Sequence, residues 1–225
     1  MSKFKIQVKL KSESIFGSGY SIPGSVDLEI VCDEYGLPYM KSKTFKGNFR
    51  QAMEDIVDIL SSLTEATKYS LMVEKLLGKG EAGVHHWETI KFSDLRLSKN
   101  IRYIIEKAVL EGKIKDQEVK KALTDIRSFT SVDEDGSSKK GSLRQIRVIK
   151  KDLFFEVDLH TERELTEQEL GLLSIAARNL RHMGTMRTRG KGEVECTLLE
   201  KEKDVYIDKT DAYIDKFIKG VRINA

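Results

Sequence analysis

The sequence predicts one α+β domain, because two hydrophobic periodicities alternate along it. Apolar residues alternate with polar residues in segments 3–11, 153–159 and 194–198, which is the period of half-buried β-strands. Between these segments apolar residues recur every three or four positions, which is the period of amphipathic helices. The chain has 225 residues, 40% of them hydrophobic, so it is long enough to bury a substantial core.

The first elements are a strand, a long loop and a helix. The strand alternates over 3–11, with its apolar residues on one face. The glycines and prolines of 12–42 predict a long, partly hairpin-like loop, and loops of this length are often functional. An apolar stripe over 45–60 predicts the helix, with Thr44 as its N-cap.

The middle of the chain predicts an insertion and a hairpin. Helical patterns cover 69–77, 100–111 and 117–126, and the segment 88–97 is typical of a strand with a bulge. Residues 127–150 carry the turn cluster DEDGSSKKG between more regular flanks. This pattern predicts an extended hairpin that projects from the body.

The last strand and helix complete an order of elements that is found in a known fold. After the strand at 153–159, Thr166 and Glu169 form a capping box that begins a helix, and the last strand covers 194–198. Without the insertions the order is strand, helix, strand, strand, helix, strand, which is the ferredoxin-like (RRM-like) βαββαβ core of many RNA-binding folds. The standard RRM aromatic signature is absent, so we expect RNA to be bound elsewhere than on the open sheet.

Charge is segregated along the chain, although the formal net charge is only +3. Basic stretches without an acid occupy 39–51, 138–151 and 178–192. Solvated faces usually mix both signs, so these stretches favour a polyanionic partner.

Two further features of the composition limit the function. No segment has the roughly 18 consecutive apolar residues that a membrane helix needs, so we expect a cytoplasmic protein without a membrane partner. Cys32 and Cys196 have neither CxxC spacing nor a nearby histidine. We therefore expect buried thiols in preference to a zinc site or a disulfide.

Five segments, in order along the chain, resemble the RAMP superfamily, and in particular the repeated backbone subunit of type III CRISPR effector complexes. The family's first glycine turn is similar to FGSG at 16–19, and the start of its first helix is similar to GLPYMKSKTFKGNFR at 36–50. Its central strand resembles IKFSDLRL at 90–97, and its thumb hairpin resembles TSVDEDGSSKKGSLRQIRVI at 130–149. Its glycine-rich loop is similar to HMGTMRTRGKGEV at 182–194.

The resemblance covers nearly the whole chain and implies a single RAMP domain over 1–225. The implied parts are a core of 1–62, 88–97 and 151–200, a helical insertion of 98–126, the thumb of 127–150, and a carboxyl-terminal extension of 201–225. The implied partners are CRISPR guide RNA, target RNA, further copies of the chain and other type III subunits.

RNA contacts are predicted by the charge pattern and implied by the resemblance. The start of the first helix offers backbone N–H groups to phosphate, and Gly184, Gly190 and Gly192 permit a close backbone approach and positive φ angles. The predicted RNA-binding cations are Lys41, Lys43, Lys46, Arg50, Arg144, Arg147, Arg187, Arg189 and Lys191. The alternative for 184–192 is a tight turn with solvated arginines. By resemblance alone, Val132 of the thumb and its neighbours contact the guide–target duplex and separate a base pair at regular intervals where copies of the chain stack along the guide. The alternative is a flexible surface hairpin.

The resemblance also implies divalent-metal-dependent cleavage of target RNA. Asp27 matches the place of the catalytic aspartate in cleaving relatives, and Glu29 or Asp33 could assist or replace it. One carboxylate could bind Mg²⁺ with the help of substrate phosphate, or orient the 2′-hydroxyl. The alternatives are a non-cleaving scaffold or capping subunit and a guide-precursor processing enzyme. Some relatives have a histidine in the first turn, where this chain has SIFGS, and this difference weakens the processing alternative.

Overall fold

The order of elements follows the predicted alternation of strands and helices. The computed structural model describes residues 2–61, 66–79, 89–131, 133, 136–137, 139 and 141–223. Its elements are β1 (Phe4–Leu10), α1 (Ser42–Ser61), α2 (Ala66–Leu77), β2 (Lys91–Phe92), β3 (Arg96–Leu97), α3 (Lys99–Leu110), α4 (Asp116–Leu123), β4 (Thr124–Phe129), β5 (Arg144–Ile149), β6 (Phe154–His160), α5 (Glu167–Asn179), a 3-10 turn (Arg187–Arg189), β7 (Val194–Glu202), β8 (Val205–Asp208) and α6 (Thr210–Ile223).

The main sheet is antiparallel and has the order β2–β6–β1–β7–β8, with β3 also paired to β6. The first strand is therefore central, and Ile6 lies between Val157 of β6 and Leu198 of β7. When β2 and β3 are taken as one interrupted strand and β8 is set aside, this is the strand order of a ferredoxin-like core. The predicted fold class is confirmed.

The hydrophobic core lies between one face of this sheet and helices α1 and α5. Successive strand residues point to opposite faces, so the apolar residues of β1 are all buried on the helix side. Helix α1 contributes Phe45 and Phe49, whose ring centroids are 5.9 Å apart and which are both fully buried. The ring of Phe92 from β2 packs 5.8 Å from that of Phe49, which joins the interrupted strand to the helix.

The predicted thumb is a separate two-stranded sheet of β4 and β5, and its root is anchored in the core. Val148 and Ile149 of β5 are fully buried. The loop after β1 pairs with the same strand, through bridges from Ser14 to Ile149 and from Leu28 to Ile146. The loop folds back on itself in the predicted hairpin-like manner, and its conformation is thereby tied to that of the hairpin.

Two predicted boundaries are wrong. Helix α1 begins at Ser42, because Asp94 Oδ1 accepts a hydrogen bond from the Ser42 N–H at 2.9 Å and so replaces the predicted N-cap Thr44. The predicted helix over 117–126 ends at Leu123, because the next residues pair with the end of β5. The predicted slip in the strand at 88–97 is confirmed: between the pairs Phe92–Leu159 and Arg96–Glu156 this segment advances four residues and β6 three, which is the one extra residue of a bulge. Glu88 lies outside the described residues.

The carboxyl-terminal extension adds β8 to the sheet and packs α6 against α5, neither of which was predicted. Gly171 of α5 permits this contact, since a Cβ there would lie 2.5 Å from the Cβ of Phe217. The predicted capping box of α5 is confirmed: Thr166 Oγ1 accepts from the Glu169 N–H at 3.2 Å, and Glu169 Oε2 accepts from the Thr166 N–H at 2.9 Å.

Both cysteines are free thiols, with Cys196 buried and Cys32 half-buried. Burial raises the pKa of Cys32 to about 11, so this thiol stays protonated at neutral pH. Within the described part of the chain, no helix is long and apolar enough to cross a membrane.

Candidate nucleic-acid interface

Three of the predicted motifs meet at one cavity of about 450 Å³. It lies between the first glycine turn, the start of α1 and the glycine-rich loop, and we name it the α1 pocket. Its lining is Ile15, Phe16, Gly17, Ser18, Val31, Met40, Lys41, Thr44, Asn48, Gly184, Thr185 and Arg187. The cavity has an apolar floor, hydroxyl and amide groups, two cations and no carboxylate among these residues. This chemistry suits a sugar-phosphate chain.

Two glycines hold the glycine-rich loop against the rest of the protein. Gly184 has a φ of +86°, and a Cβ there would lie 2.3 Å from the carbonyl oxygen of Ile15. Gly192 has a φ of +79°, and a Cβ there would lie 2.1 Å from the carbonyl oxygen of Met183. The close approach that these glycines permit is therefore to protein backbone, whereas Gly190 has open space and a φ of +69°.

The side chain of Arg187 is fixed across the gap between the glycine-rich loop and α1. Its Nε donates to the Gly184 carbonyl at 3.0 Å, and its Nη2 donates to Asn48 Oδ1 at 3.0 Å. The amide of Asn48 is itself oriented, because its Nδ2 donates to the Thr44 carbonyl at 2.8 Å. The remaining N–H donors of the guanidinium are left for a ligand.

The predicted RNA-binding cations fall into three groups, which are the exposed ones, the half-buried Lys46 and those with a partner inside the protein. The exposed group is Lys41, Lys43, Arg144, Arg187 and Arg189. Lys46 is half-buried, and burial, followed by the charge of Arg50, lowers its pKa. A phosphate beside Lys46 would relieve both effects by supplying an opposite charge.

The other cations have partners inside the protein. Arg50 Nη2 donates to the carbonyls of Leu77 at 2.9 Å and Gly78 at 2.6 Å, at the end of α2. Arg147 Nε lies 3.0 Å from Glu29 Oε1. These contacts join α1 to the end of α2 and β5 to the loop after β1. A charged side chain that is removed from water needs such a partner within the protein.

A third internal pairing joins the glycine-rich loop to the hairpin. Lys191 Nζ lies 2.5 Å from Glu13 Oε2, and Glu13 Oε1 also accepts from Arg127 of β4. The hydrogen bond from Arg127, with that from Lys191, lowers the pKa of Glu13 despite its partial burial. Lys191 is therefore compensated by a carboxylate, unlike Arg187 and Arg189.

One of the backbone N–H groups at the start of α1 also has a carboxylate partner within the protein. The Ser42 N–H donates to Asp94 Oδ1, so one of the backbone donors predicted for phosphate is occupied by a carboxylate of the protein. Asp94 Oδ2 in turn accepts from Arg96 Nη2 at 3.0 Å. No local sequence pattern predicts this contact, because Asp94 lies 52 residues after Ser42 in the chain.

Among the three candidate catalytic acids, Asp27 alone is exposed. Its N–H donates to the Gln145 carbonyl at 2.7 Å, and its Oδ2 accepts from the Gln145 N–H at 2.7 Å. This pair of bonds fixes Asp27 beside strand β5 of the hairpin. The other carboxylate oxygen is the one available to a ligand.

Glu29 and Asp33 have structural environments. Glu29 is buried, and it accepts from Arg147 and from its neighbour Ile30 while Lys120 Nζ lies 3.2 Å away. Asp33 Oδ1 accepts backbone N–H groups of Tyr35 and Leu37, at 3.1 and 3.0 Å. Both carboxylates therefore stabilise the fold through these contacts.

Metal binding was predicted at Asp27. Within the described residues, no group of three or more His, Cys, Asp or Glu side chains is placed to hold a metal ion. Asp27 therefore fits an ion only as one ligand, with substrate phosphate and water supplying the others, which is common for Mg²⁺. Val132, predicted to contact the duplex, lies outside the described residues.

Comparison with known proteins identifies the family. The RAMP superfamily model matches residues 7–195, so this chain belongs to the RAMP superfamily. No curated protein matches the sequence.

Solved structures share the fold. A chain in the cryo-EM structure of the apo state of Type III-B Cmr-beta matches with a TM-score of 0.59 and 16% identity, over 87% of this chain and 96% of that chain. A chain of Type III-B Cmr-beta bound to cognate target RNA matches with a TM-score of 0.57 and 17% identity, over the same shares.

Proposed function

We propose that this chain is a guide-RNA-binding backbone subunit of a type III CRISPR complex and that it cleaves guide-paired target RNA. The observation that carries the proposal is the α1 pocket, where three motifs of the superfamily meet around cations without a carboxylate. The superfamily membership and the likeness to chains of Type III-B Cmr-beta support the same assignment.

RNA would lie along the exposed cations. Lys41 and Lys43 flank the start of α1, and Arg187 reaches over the α1 pocket from the opposite side. These groups would bind phosphates and therefore hold any sequence, while base pairing between guide and target supplies the specificity.

Cleavage is assigned to Asp27, because among the three candidate acids it alone is exposed, and it is hydrogen-bonded to the hairpin at Gln145. Its carboxylate would orient the 2′-hydroxyl of the target or hold a divalent cation together with a phosphate oxygen. A bound Mg²⁺ would supply neutralisation of charge on the phosphate under attack. The hydrogen bonds to Gln145 keep the carboxylate at a fixed position relative to the hairpin.

The test is cleavage of a guide-complementary RNA by the assembled complex in Mg²⁺, at matched RNA occupancy. We expect Asp27→Ala to lose the products, and Asp55→Ala, an exposed acid on α1 bonded to Gln51, to cut like the native complex. Cutting by Asp27→Ala at the level of the native complex would show that Asp27 is not the catalytic residue. Cutting that survives a chelator would contradict the divalent-metal requirement and point to precursor processing.

A non-cleaving scaffold or capping subunit is the second candidate. This candidate is favoured because the other two candidate acids, Glu29 and Asp33, are already bonded to other groups of the protein. Among the described residues, Asp27 also belongs to no group of three or more His, Cys, Asp or Glu side chains that could hold a metal ion. This candidate predicts tight guide binding with intact target RNA in the same assay.

A further inference from the structure

Glu13 is a carboxylate that lies between two parts of the proposed interface. Its Oε1 accepts from Nε of Arg127 at 2.9 Å, and its Oε2 lies 2.5 Å from Nζ of Lys191. Arg127 belongs to β4 of the hairpin, and Lys191 belongs to the glycine-rich loop of 182–194. One carboxylate therefore bridges two elements that are distant in the chain.

The backbone at Glu13 joins the same two elements. The Glu13 carbonyl accepts from the N–H of Gly192 in the glycine-rich loop at 2.8 Å. The next residue, Ser14, exchanges two backbone hydrogen bonds with Ile149 of β5, at 2.7 and 3.1 Å. The glycine-rich loop and the root of the hairpin are thus attached to neighbouring residues of one short segment.

The side chain of Glu13 holds the hairpin at a second point, away from its root. At the root, Ile149 of β5 is paired with Thr124 of β4, and Arg127 lies three residues further along β4. Three residues of a strand span about 10 Å. Two attachments at this separation fix the direction of the hairpin, whereas an attachment at the root alone would let it tilt.

The second attachment lies beside the candidate catalytic carboxylate. Arg127 and Gln145 lie on the two paired strands of the hairpin, one position apart in register. The Gln145 N–H donates to Asp27 Oδ2, and the Gln145 carbonyl accepts from the Asp27 N–H, both at 2.7 Å. A continuous series of contacts therefore joins Lys191 of the loop to Asp27.

The bridge is well placed to persist. The side chains of Glu13 and Lys191 are only 17% and 19% exposed, so water screens their attraction little. The hydrogen bonds from Arg127 and Lys191 lower the pKa of Glu13, which keeps the carboxylate charged at neutral pH. Arg127 also lies 3.4 Å from Asp125, but this residue belongs to the same strand and cannot link Arg127 to the loop.

We propose that Glu13 is a positioning residue that fixes the hairpin, and through it Asp27, relative to the glycine-rich loop. Arg187 and Arg189 of this loop are expected to hold guide phosphates, so the bridge sets the place of Asp27 relative to the guide. The inference rests on the proposed function and adds a residue that contacts neither RNA nor the reacting atoms. Misplacement of a reacting group by 1 Å can cost about 100-fold in rate.

The variant that tests the bridge is Glu13→Gln. Glutamine has the size of glutamate, but an NH₂ group replaces one of the two oxygens that now bind different cations. Lys191 and Arg127 would become available to phosphate, so we expect guide binding at least as tight as native. We also expect cleavage of guide-paired RNA by the assembled complex to slow about 10- to 100-fold at matched RNA occupancy. A destabilised fold would instead weaken guide binding and cleavage together.

Glu195→Gln is the matched control. Glu195 also lies between two cations, 3.6 Å from Lys11 and 3.9 Å from Arg178, but neither cation belongs to the hairpin or to the glycine-rich loop. We therefore expect Glu195→Gln to cut at a near-native rate. Circular dichroism spectra of both variants check that the fold is retained.

A double variant tests whether the two halves of the bridge act as one. Arg127→Gln breaks the contact to the hairpin from the other side. We expect Glu13→Gln combined with Arg127→Gln to cut no more slowly than the slower single variant, because both changes break the same contact. Losses that multiply in the double variant would show independent roles and would contradict a shared bridge.

Hydrogen exchange tests the link without reference to cleavage. In the full chain we expect guide RNA to slow exchange of the backbone amides of β4 and β5. We expect this protection to be smaller in Glu13→Gln, although the guide is bound, and to be native in Glu195→Gln. Native cleavage by Glu13→Gln, where Asp27→Ala is inactive, would overturn the inference and leave the proposed function intact. If the native complex does not cut, the proposed cleavage fails, and equal protection in Glu13→Gln and the native chain would overturn the link as well.

Discussion

The two surfaces of this domain use their cations differently. On the outer face of the main sheet, Lys5 Nζ lies 2.8 Å from Glu156, and Lys11 lies 3.6 Å from Glu195. Lys41 and Arg187 line the α1 pocket, and Arg189 lines a second cavity, of about 540 Å³, beside the hairpin of β4 and β5. Neither cavity has an acidic residue in its described lining. The net charge of +3 therefore conceals one compensated and one uncompensated surface. Only the second can attract a polyanion strongly.

The largest expected effect comes from breaking a compensated pair in the interior. Glu29→Ala would leave Arg147, whose side chain is 13% exposed, without its carboxylate, and Lys120 would lose a partner as well. Removal of one partner of a buried ion pair costs about 3–5 kcal/mol. We expect a fall of this size in the free energy of unfolding, measured by urea denaturation. A change below 1 kcal/mol would contradict the structural role of Glu29.

The next effect separates the two surfaces directly. Lys41→Ala combined with Arg187→Ala is expected to weaken RNA binding about 10- to 100-fold and to reduce the salt slope by about 1.4, at roughly 0.7 for each single-strand phosphate contact. The control is the double variant of Lys11→Ala and Lys91→Ala, two exposed lysines that are paired with Glu195 and Glu162, and its slope is expected to stay near native. Equal slopes for both double variants would remove the distinction between the surfaces.

A smaller effect distinguishes two neighbouring cations of α1. Arg50→Ala leaves the carbonyls of Leu77 and Gly78 without their donor, so we expect a stability loss of about 1–3 kcal/mol with little change in the salt slope. Lys46→Ala is expected to act in the opposite way, with a reduced salt slope and little loss of stability. Denaturation and filter binding on the same two variants measure both quantities. A reduced salt slope of RNA binding for Arg50→Ala would instead identify Arg50 as an RNA contact.

The smallest effect concerns pH. Glu169 is buried, and although burial opposes its charge, hydrogen bonds from Arg163 and from the Thr166 backbone lower its pKa below the ordinary 4.5. The stabilisation by this carboxylate is therefore present above that ordinary value and is lost as the pH falls through the lowered folded-state pKa. We expect the melting temperature of Glu169→Gln to depend less on pH below 4.5 than that of the native chain. An unchanged dependence would mean that other carboxylates dominate acid unfolding.

Local patterns predicted most elements but not their ends. The capping box at Thr166 was predicted because its partners are three residues apart. The start of α1 was missed because its capping acid, Asp94, comes from a distant segment. The extension of 201–225 was not assigned elements, although β8 and α6 complete the sheet and cover α5. Tertiary contacts decide such cases, and their sequence signal is weak.

The sequence by itself determined the order of strands and helices, the segregation of charge and the glycine-bearing loops, since each of these depends on residues close together in the chain. Only the tertiary structure decided which cations are free. Arg147 and Arg189 both lie in basic stretches without an acid, yet Arg147 is paired with the buried Glu29 and Arg189 lines an open pocket. The physical reason is that compensation depends on distance in space, and the carboxylates that neutralise Arg147 and Lys191 come from a loop far away in the chain.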